Sequence, residues 1–268
     1  MANKPVLFHA IESVVGAGIT DIGIVVGHTK NEVKAAVGDG SRWNAKVTYV
    51  EQPEPLGLAH AVLISEEFIG RERFVLFLGD NFLKGGIASF VQDFRDGKQN
   101  ATIILTKVPN PREMGVAVVE GDRIVRLVEK PKDPPSDLGI VGIYLFDKHV
   151  FEAAKAIKPS WRNELEITDL NLLYLRQNQL HVKLLSRGMA WLDTGTTTTL
   201  LEASNYIATI EHRQGLKIAC LEEVALRMGF ITQNDLAKII DKLPRNEYRD
   251  YLRLVCDEGP GVGPEPVG

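Results

Sequence analysis

The sequence is poor in features that mark several classes of protein, and each scarcity excludes one of them. Its 268 residues contain only two cysteines, Cys220 and Cys256, which indicates a reducing compartment rather than a disulfide framework. No apolar run approaches the roughly 18 residues that span a bilayer, and the N-terminus lacks a basic segment followed by a secretory apolar core. A net charge of -4 gives no reason to expect nucleic acid as a partner. We therefore expect a cytoplasmic globular protein without a membrane or nucleic-acid partner.

Several catalytic motifs are also missing from the sequence. The six histidines are scattered, and no His/Cys cluster has the spacing of a zinc site. No Gly-x-Ser-x-Gly turn and no Walker-type phosphate loop occurs. The hydrophobic content of 44% and the charged content of 25% are ordinary for a globular protein. The length allows one large domain, with or without a smaller appendage.

Helical and strand patterns alternate in the first part of the chain. Strands are predicted at 22–27, 47–50, 74–78 and 101–105, and helices at 5–15, 29–36, 58–68 and 87–94. This alternation predicts a doubly wound, mostly parallel α/β sheet. The alternation begins on a helix, with no strand before it.

The second part of the chain departs from this alternation. A hairpin is predicted at 116–128, strands at 140–146 and 182–185, and helices at 150–157, 165–175 and 200–211. Three short helices follow as far as Cys256. We expect an α/β core over residues 1–197, a helical region over 198–257, and a disordered Gly/Pro-rich tail over 258–268.

Two strand ends carry aspartates that could hold a metal ion. Five apolar residues, Phe74 to Leu78, stop at Gly79 and Asp80, which is typical of a strand buried on both faces of a parallel sheet. Ligands bind beyond the carboxyl ends of such strands. Asp193 ends a second strand in the same way, and magnesium needs few protein carboxylates. The alternative for each aspartate is an ordinary polar turn.

The segment from Gln52 to Ala59 follows a strand and opens a helix. The Gln52 amide offers the donors and acceptors needed to bind a nucleobase edge, and Gly57 allows a close backbone approach. The alternative is a proline-stiffened connection in which the glutamine is incidental.

Charged residues near two other element ends could bind a sugar phosphate. Lys130 could bind a phosphate as a point charge, and Glu129 could accept hydrogen bonds from sugar hydroxyls. Arg162 could clamp a phosphate. The alternative for Glu129 and Lys130 is a solvated ion pair. Glu166 and Asp169 follow Arg162 in the chain, and they could simply be acids favoured in the first turn of a helix.

Six ordered segments together resemble the glucose-1-phosphate thymidylyltransferases, the short-chain branch of the sugar-nucleotide pyrophosphorylases. The segments are Gln52 to Ala59, Leu78 to Asn81, Glu129 to Pro131, Glu164 to Asp169, Ala190 to Thr196 and Thr209 to Lys217. The similarity extends from Asn3 to about Cys256. The resemblance implies a Rossmann-like nucleotidyltransferase sheet with a small C-terminal helical region.

The resemblance also implies a reaction and a set of site residues. A sugar 1-phosphate attacks the α-phosphate of dTTP, and dTDP-glucose and pyrophosphate are formed with Mg²⁺ as cofactor. The implied roles are metal binding by Asp80 and Asp193, base binding by Gln52 and Gly57, sugar binding by Gly115, Glu129, Ile140 and Gly142 with Trp191 close by, and sugar-phosphate contact by Lys130 and Arg162. Relatives are usually homo-oligomers.

One expected part of the family pattern is not in the 268 residues. The family begins with a strand and a loop, Gly-Gly-x-Gly-Thr-Arg-Leu-x-Pro, whose amides cradle the triphosphate. Residues 1–5 match the family just after this signature. We expect unpaired strand edges near Ile24–Val26 and Leu76–Leu78 and poor activity of this chain. The hypotheses are a thymidylyltransferase whose true start lies upstream, a non-catalytic sugar-nucleotide-binding relative, and a UTP-dependent pyrophosphorylase.

Overall fold

The protein contains both helices and strands, and the predicted α/β class is confirmed. The structure, a computed structural model, describes residues 4–121, 123–227 and 229–259. The strands are β1 Asp21–Val26, β2 Lys46–Glu51, β3 Phe74–Phe77, β4 Asn81–Leu83, β5 Ala101–Lys107, β6 Val116–Glu120, β7 Arg123–Val128, β8 Leu138–Phe146, β9 Leu180–Leu184 and β10 Trp191–Asp193. The helices are α1 Val6–Gly16, α2 Lys30–Val37, α3 Leu58–Ile64, α4 Glu66–Ile69, α5 Ala88–Asp96, α6 Val150–Ala156, α7 Ile167–Arg176, α8 Thr197–Gln214, α9 Leu221–Arg227, α10 Gln233–Lys242 and α11 Glu247–Glu258.

The chain divides into two compact units, and each is described by itself. The larger unit is Ala10–Trp191, and the other combines Met1–His9 with Leu192–Gly268. The predicted boundaries after residues 197 and 257 stay predictions. Most of the predicted tail, residues 260–268, lies outside the described residues. No helix in the described ranges is long and apolar enough to cross a membrane.

A six-stranded sheet forms the centre of the larger unit, with the strand order β7-β6-β8-β5-β9 and β3 also paired to β8. β5 runs antiparallel to β8, with Ile103 opposite Tyr144, and parallel to β9, with Ala101 opposite Leu180. The predicted hairpin is confirmed, since β6 and β7 pair antiparallel. Two smaller sheets join β1 to β2 in parallel and β4 to β10.

Both faces of the central sheet are covered, which explains the continuous apolar runs in β5 and β8. Ile103 and Leu105 belong to one core cluster, whereas Ile104 between them belongs to another. Successive strand residues point to opposite faces, so the two clusters lie on the two sides of the sheet. The first includes residues of α3, α6 and α7, and the second includes residues of α5.

The strand predicted at 74–78 packs against core clusters on both faces, as expected, but the parallel setting predicted for it was wrong. β3 pairs antiparallel with β8, with Phe74 opposite Phe146, and its residues are half-buried rather than fully buried. The apolar run signals burial, but it contains no information on the direction of the neighbouring strand. Within the described residues, β1 pairs only with β2 and β3 only with β8. The predicted unpaired edges near 24–26 and 76–78 stay predictions.

Two predicted helices differ from the structure in local detail. The helix expected over 58–68 consists of α3 and α4, separated at Ser65. The Ser65 hydroxyl donates to the carbonyl of Ala61 at 2.8 Å, a bond that competes with the helical ladder and favours a bend. The helix predicted over 29–36 is α2, which begins after Thr29, and the Thr29 side chain makes no capping hydrogen bond.

The smaller unit contains the three short helices predicted after Cys220. Their apolar residues form one cluster that includes Leu226, Leu236 and Leu252. Thr232 and Asp235 form a reciprocal capping box at the start of α10. Such boxes satisfy two backbone donors that a helix start otherwise leaves unpaired. Both cysteines are free, as expected.

Candidate active site

The Gln52 side chain is held by the turn that follows it. Its Nε2 donates to the carbonyl of Gly57 at 3.1 Å and lies 2.9 Å from Nδ1 of His60. The backbone N–H of Gln52 donates to the Val26 carbonyl at 2.9 Å, beside the end of β1. The predicted base-binding glutamine is therefore half-buried and fixed in orientation.

The backbone conformation and the packing at position 57 both require glycine. Its φ is +99°, and a Cβ at this position would lie 2.8 Å from the backbone nitrogen of Leu165. Leu165 donates to the Leu56 carbonyl at 2.7 Å and accepts from the N–H of Ala59 at 3.0 Å. The Leu165 backbone thus packs against Gly57 and ties the Gln52 turn to the segment before α7, whereas the base contact predicted for Gly57 stays a prediction.

Glu129 lies directly after β7 and receives a hydrogen bond from α7. The Thr168 hydroxyl donates to Oε2 of Glu129 at 2.5 Å, and the Glu129 side chain is 23% exposed. Burial raises the pKa of the Glu129 carboxyl above its ordinary value, and the hydrogen bond from Thr168 opposes that rise. The carboxyl is therefore a positioned acceptor in a site that disfavours its charge.

Gly115 and Ile140 lie against this carboxyl. A Cβ on Gly115 would be 2.8 Å from Oγ1 of Thr168, 3.0 Å from Cδ1 of Ile140 and 3.3 Å from Oε2 of Glu129. The N–H of Ile140 donates to the carbonyl of Gly115 at 2.9 Å. Three predicted sugar-binding residues are thus brought together by the structure. Sequence reasoning missed the fourth member, Thr168, which is 1% exposed.

Arg162 makes a dense set of ion pairs. Its Nη2 and Nε donate to the two oxygens of Glu166 at 2.7 and 3.1 Å. Nη2 also lies 3.2 Å from Glu164 and 3.7 Å from Glu129. The hydrogen bond that Arg162 donates to Glu166 is the first cause that raises the pKa of Arg162. Glu166, predicted as a first-turn acid, lies at the N-cap of α7 and fixes the guanidinium, which stays cationic beside Glu129.

Lys130 occupies an unusual backbone conformation beside Glu129. Its φ is +39°, a left-handed value that costs energy for a residue with a side chain. Its N–H donates to the Met114 carbonyl at 3.2 Å, and the residue is exposed. The predicted phosphate-binding lysine is thus placed at the edge of the same cluster.

Asn81 joins three of the predicted site residues and was missed as a site residue by sequence reasoning. It is 2% exposed. Its Oδ1 accepts from the Trp191 indole at 2.5 Å, and its Nδ2 donates to Oδ1 of Asp80 at 2.8 Å. Because an indole N–H can only donate, it sets the orientation of the amide. A Cβ on Gly142 would lie 2.8 Å from Asn81 Oδ1, so this glycine makes room for the amide.

The two predicted metal ligands belong to different compact units. Asp80 is exposed in the larger unit and oriented by Asn81. Asp193, in the other unit, accepts from the N–H of Gly195 at 2.8 Å. Carboxylate oxygens suit a hard cation such as magnesium. The described ranges contain no group of three or more His, Cys, Asp or Glu residues that could hold a metal ion.

Comparisons with known proteins identify the family of this chain. A family model described as "Nucleotidyl transferase" matches residues 1–210. The chain belongs to the nucleotidyl transferase family.

Named relatives narrow the comparison to one kind of nucleotidyl transferase. A glucose-1-phosphate thymidylyltransferase from Streptomyces antibioticus is 47% identical over 77% of this chain, and the chain spans 58% of that relative's length. A second one, from Neisseria meningitidis, is 40% identical over 93% of this chain and 88% of the relative. Both carry the name that the six segments predict.

Solved structures share the fold. A Bacillus anthracis protein described as a "Putative Glucose-1-Phosphate Thymidylyltransferase", in complex with sucrose, superposes with a TM-score of 0.72 and 36% identity. The match covers 76% of this chain and 83% of that one. A UDP-glucose pyrophosphorylase bound to UDP-glucose gives a TM-score of 0.68 at 25% identity, over 77% of this chain and 88% of that one. The thymidylyltransferase is thus the more similar of the two in sequence.

Proposed function

We propose that the protein transfers a nucleotidyl group from dTTP to glucose 1-phosphate, giving dTDP-glucose and pyrophosphate. One observation carries the proposal: the short segment from Arg162 to Thr168 contacts both halves of the predicted site. Leu165 holds the Gln52 turn, and Thr168 donates to Glu129. One short segment therefore supports both the proposed base-binding amide and the proposed sugar-binding carboxyl, and a sugar nucleotide needs both.

The sugar half of the proposed site suits a neutral, hydroxyl-rich ligand. Glu129 has a second oxygen, Oε1, besides the one bound by Thr168. This oxygen can accept from a sugar hydroxyl, and hydrogen bonds to a charged acceptor are stronger than neutral ones. Gly115 carries no side chain, so the Thr168 hydroxyl and Glu129 can approach each other above it. Ile140 supplies an apolar contact for the sugar ring.

The chemistry requires an oxygen of the sugar phosphate to attack the α-phosphorus of dTTP while pyrophosphate leaves. Both reactants are anionic, so alignment and charge neutralisation are the main tasks of the protein. In the proposal, Lys130 and Arg162 contact the sugar phosphate, and Asp80 and Asp193 hold Mg²⁺. When bound, the ion neutralises charge on the phosphate oxygens. Asn81 holds the Asp80 carboxylate for this task.

Further proposals concern the cellular location and the oligomeric state of the protein. The free state of Cys220 and Cys256 supports a cytoplasmic location, because thiols stay reduced there. The resemblance supports a homo-oligomer. Size-exclusion chromatography with light scattering measures this directly, and a monomer at micromolar concentration would contradict it.

Turnover is tested by pyrophosphate release from dTTP and glucose 1-phosphate in the presence of Mg²⁺. Parallel reactions use UTP in place of dTTP, and dTTP without the sugar phosphate. We expect release only with both substrates, and more with dTTP than with UTP. Since the glycine-rich loop implied by the resemblance is not in the 268 residues, binding of dTDP-glucose is measured on the same sample. Binding without release favours the second candidate, a non-catalytic sugar-nucleotide-binding protein.

A further inference from the structure

The orientation of the Gln52 amide follows from the chemistry of its neighbours. One amide atom lies 3.1 Å from the Gly57 carbonyl oxygen. A carbonyl oxygen can only accept a hydrogen bond, so the atom that faces it must be the nitrogen, Nε2. The opposite assignment would place two oxygens against each other. The amide oxygen, Oε1, therefore points away from Gly57.

His60 fixes the same amide from a second side. Its Nδ1 lies 2.9 Å from Nε2 of Gln52. Because an amide nitrogen only donates, Nδ1 must be the unprotonated nitrogen of the ring. His60 is half-buried in α3, three residues after Gly57. The Gly57 carbonyl and His60 together engage both N–H groups of the amide.

The amide oxygen is then the atom that remains for a ligand. Among the residues that the structure describes, the bonds of the Gln52 side chain both involve Nε2. An oxygen acceptor matches the N3–H group of thymine or uracil, whereas N3 of cytosine carries no hydrogen and is itself an acceptor. A site built to bond an N–H group rejects an analogue that lacks it.

We propose that His60 is a positioning residue for base recognition. It locks the Gln52 amide with its oxygen outward, and the site thereby selects a nucleotide whose base carries an imide N–H over a cytosine nucleotide. This inference rests on the proposed function, because it takes Gln52 as the residue that meets the base. The Gly57 carbonyl is one of the two acceptors that orient the amide, and a side-chain substitution cannot remove it. His60 is the other acceptor, and a substitution can remove it.

The test measures the affinities of dTTP, dUTP and dCTP, each with Mg²⁺, by calorimetry in four proteins. These are the wild type, His60→Leu, His60→Gln and His181→Leu. The leucine at 60 removes the acceptor, whereas the glutamine offers an amide oxygen to Nε2 of Gln52. His181 is an exposed residue of β9, so His181→Leu controls for the loss of a histidine elsewhere in the same unit.

Removing the acceptor leaves the Gly57 carbonyl to hold the amide, so the rotated orientation becomes more populated. His60→Leu should lower the ratio of dTTP to dCTP affinity by about 5-fold, the value of one neutral hydrogen bond. dUTP should follow dTTP in all four proteins, because it has the same N3–H group. His60→Gln and His181→Leu should keep the wild-type ratio.

Different outcomes identify which claim fails. A wild type that binds dTTP and dCTP equally contradicts the base recognition in the proposed function. A wild type that prefers dTTP, together with an unchanged ratio in His60→Leu, overturns only the role of His60. A measurement on the wild type alone covers the case in which the variant does not fold: ¹⁵N spectra at alkaline pH should show an unprotonated Nδ1 in His60, and a protonated Nδ1 overturns the inference.

Discussion

The two halves of the candidate site are held together by different kinds of interaction. Around Gln52 the contacts are neutral hydrogen bonds to a carbonyl and an imidazole. Around Glu129 they are a buried carboxyl, a hydroxyl and the Arg162 ion pairs. Neutral bonds depend on the direction of donors and acceptors, so they discriminate between ligands. Charged contacts respond to burial and pH, so the Glu129 half should control binding strength.

The largest expected effect is on protein stability, and it comes from changing Gly57, which links the two halves through Leu165. In Gly57→Ala the new Cβ would meet the Leu165 backbone in a left-handed conformation, so we expect about 3 kcal/mol of lost stability. Gly38→Ala is the matched control: its φ is +70°, with no atom within 4 Å of the added Cβ. It should cost only about 1 kcal/mol. Urea unfolding measures both, and equal losses would show that the Leu165 contact is unimportant.

The charged half is tested by Glu129→Ala. Loss of a charged acceptor for a sugar hydroxyl should weaken dTDP-glucose binding by roughly 10- to 100-fold. Binding of thymidine alone should be unaffected, because the base half does not include this carboxyl. The control, Glu120→Ala, removes an exposed acid at the end of β6. Equal weakening for thymidine and dTDP-glucose would contradict a separate sugar half.

A third prediction concerns the support behind Asp80. Asn81→Ala removes the amide that holds Asp80 and leaves the Trp191 indole without its acceptor. Loss of an outer-shell partner typically weakens metal binding by about 10-fold or more. The Mg²⁺ concentration needed for half-maximal dTTP binding should rise accordingly. If that concentration is unchanged in a folded variant, Asp80 is not a ligand that Asn81 positions.

The smallest expected effect is the pH dependence of stability from Glu129. Burial raises the pKa of this carboxyl in the folded protein above the ordinary 4.5. Its contribution to stability is therefore fully present below pH 4.5 and is lost as pH rises through the folded-state pKa. The free energy of unfolding of Glu129→Gln, compared with that of the wild type, should therefore increase as pH rises over that range. Thermal unfolding across that range measures it, and a difference that falls with rising pH has the wrong sign.

Sequence patterns predicted elements best where burial is complete. The strands at 101–105 and 140–146 were found because both of their faces pack against core clusters. The antiparallel pairing of β3 was not predicted, because composition contains no information on strand direction. Ser65 divides a helix that periodicity treated as continuous.

The supporting residues of the site were the part that sequence reasoning could not find. The resemblance supplied Gln52, Glu129 and Asp80. It gave no role to Thr168, which is 39 residues from Glu129 in the chain. Likewise the Asn81 contact with Trp191 spans 110 residues. Such contacts are set by the packing of distant segments, and a single sequence carries no direct signal for them.

The most direct test of the account is the binding of dTDP-glucose and CDP-glucose by the unmodified protein. Isothermal titration in the presence of Mg²⁺ measures both, with glucose 1-phosphate and thymidine as fragments. We expect saturable one-to-one binding of dTDP-glucose with a Kd of roughly micromolar order, about -8 kcal/mol, and much weaker binding of CDP-glucose. No binding of dTDP-glucose at millimolar concentration, or equal binding of the two sugar nucleotides, would contradict the claim that this site recognises a thymidine sugar nucleotide.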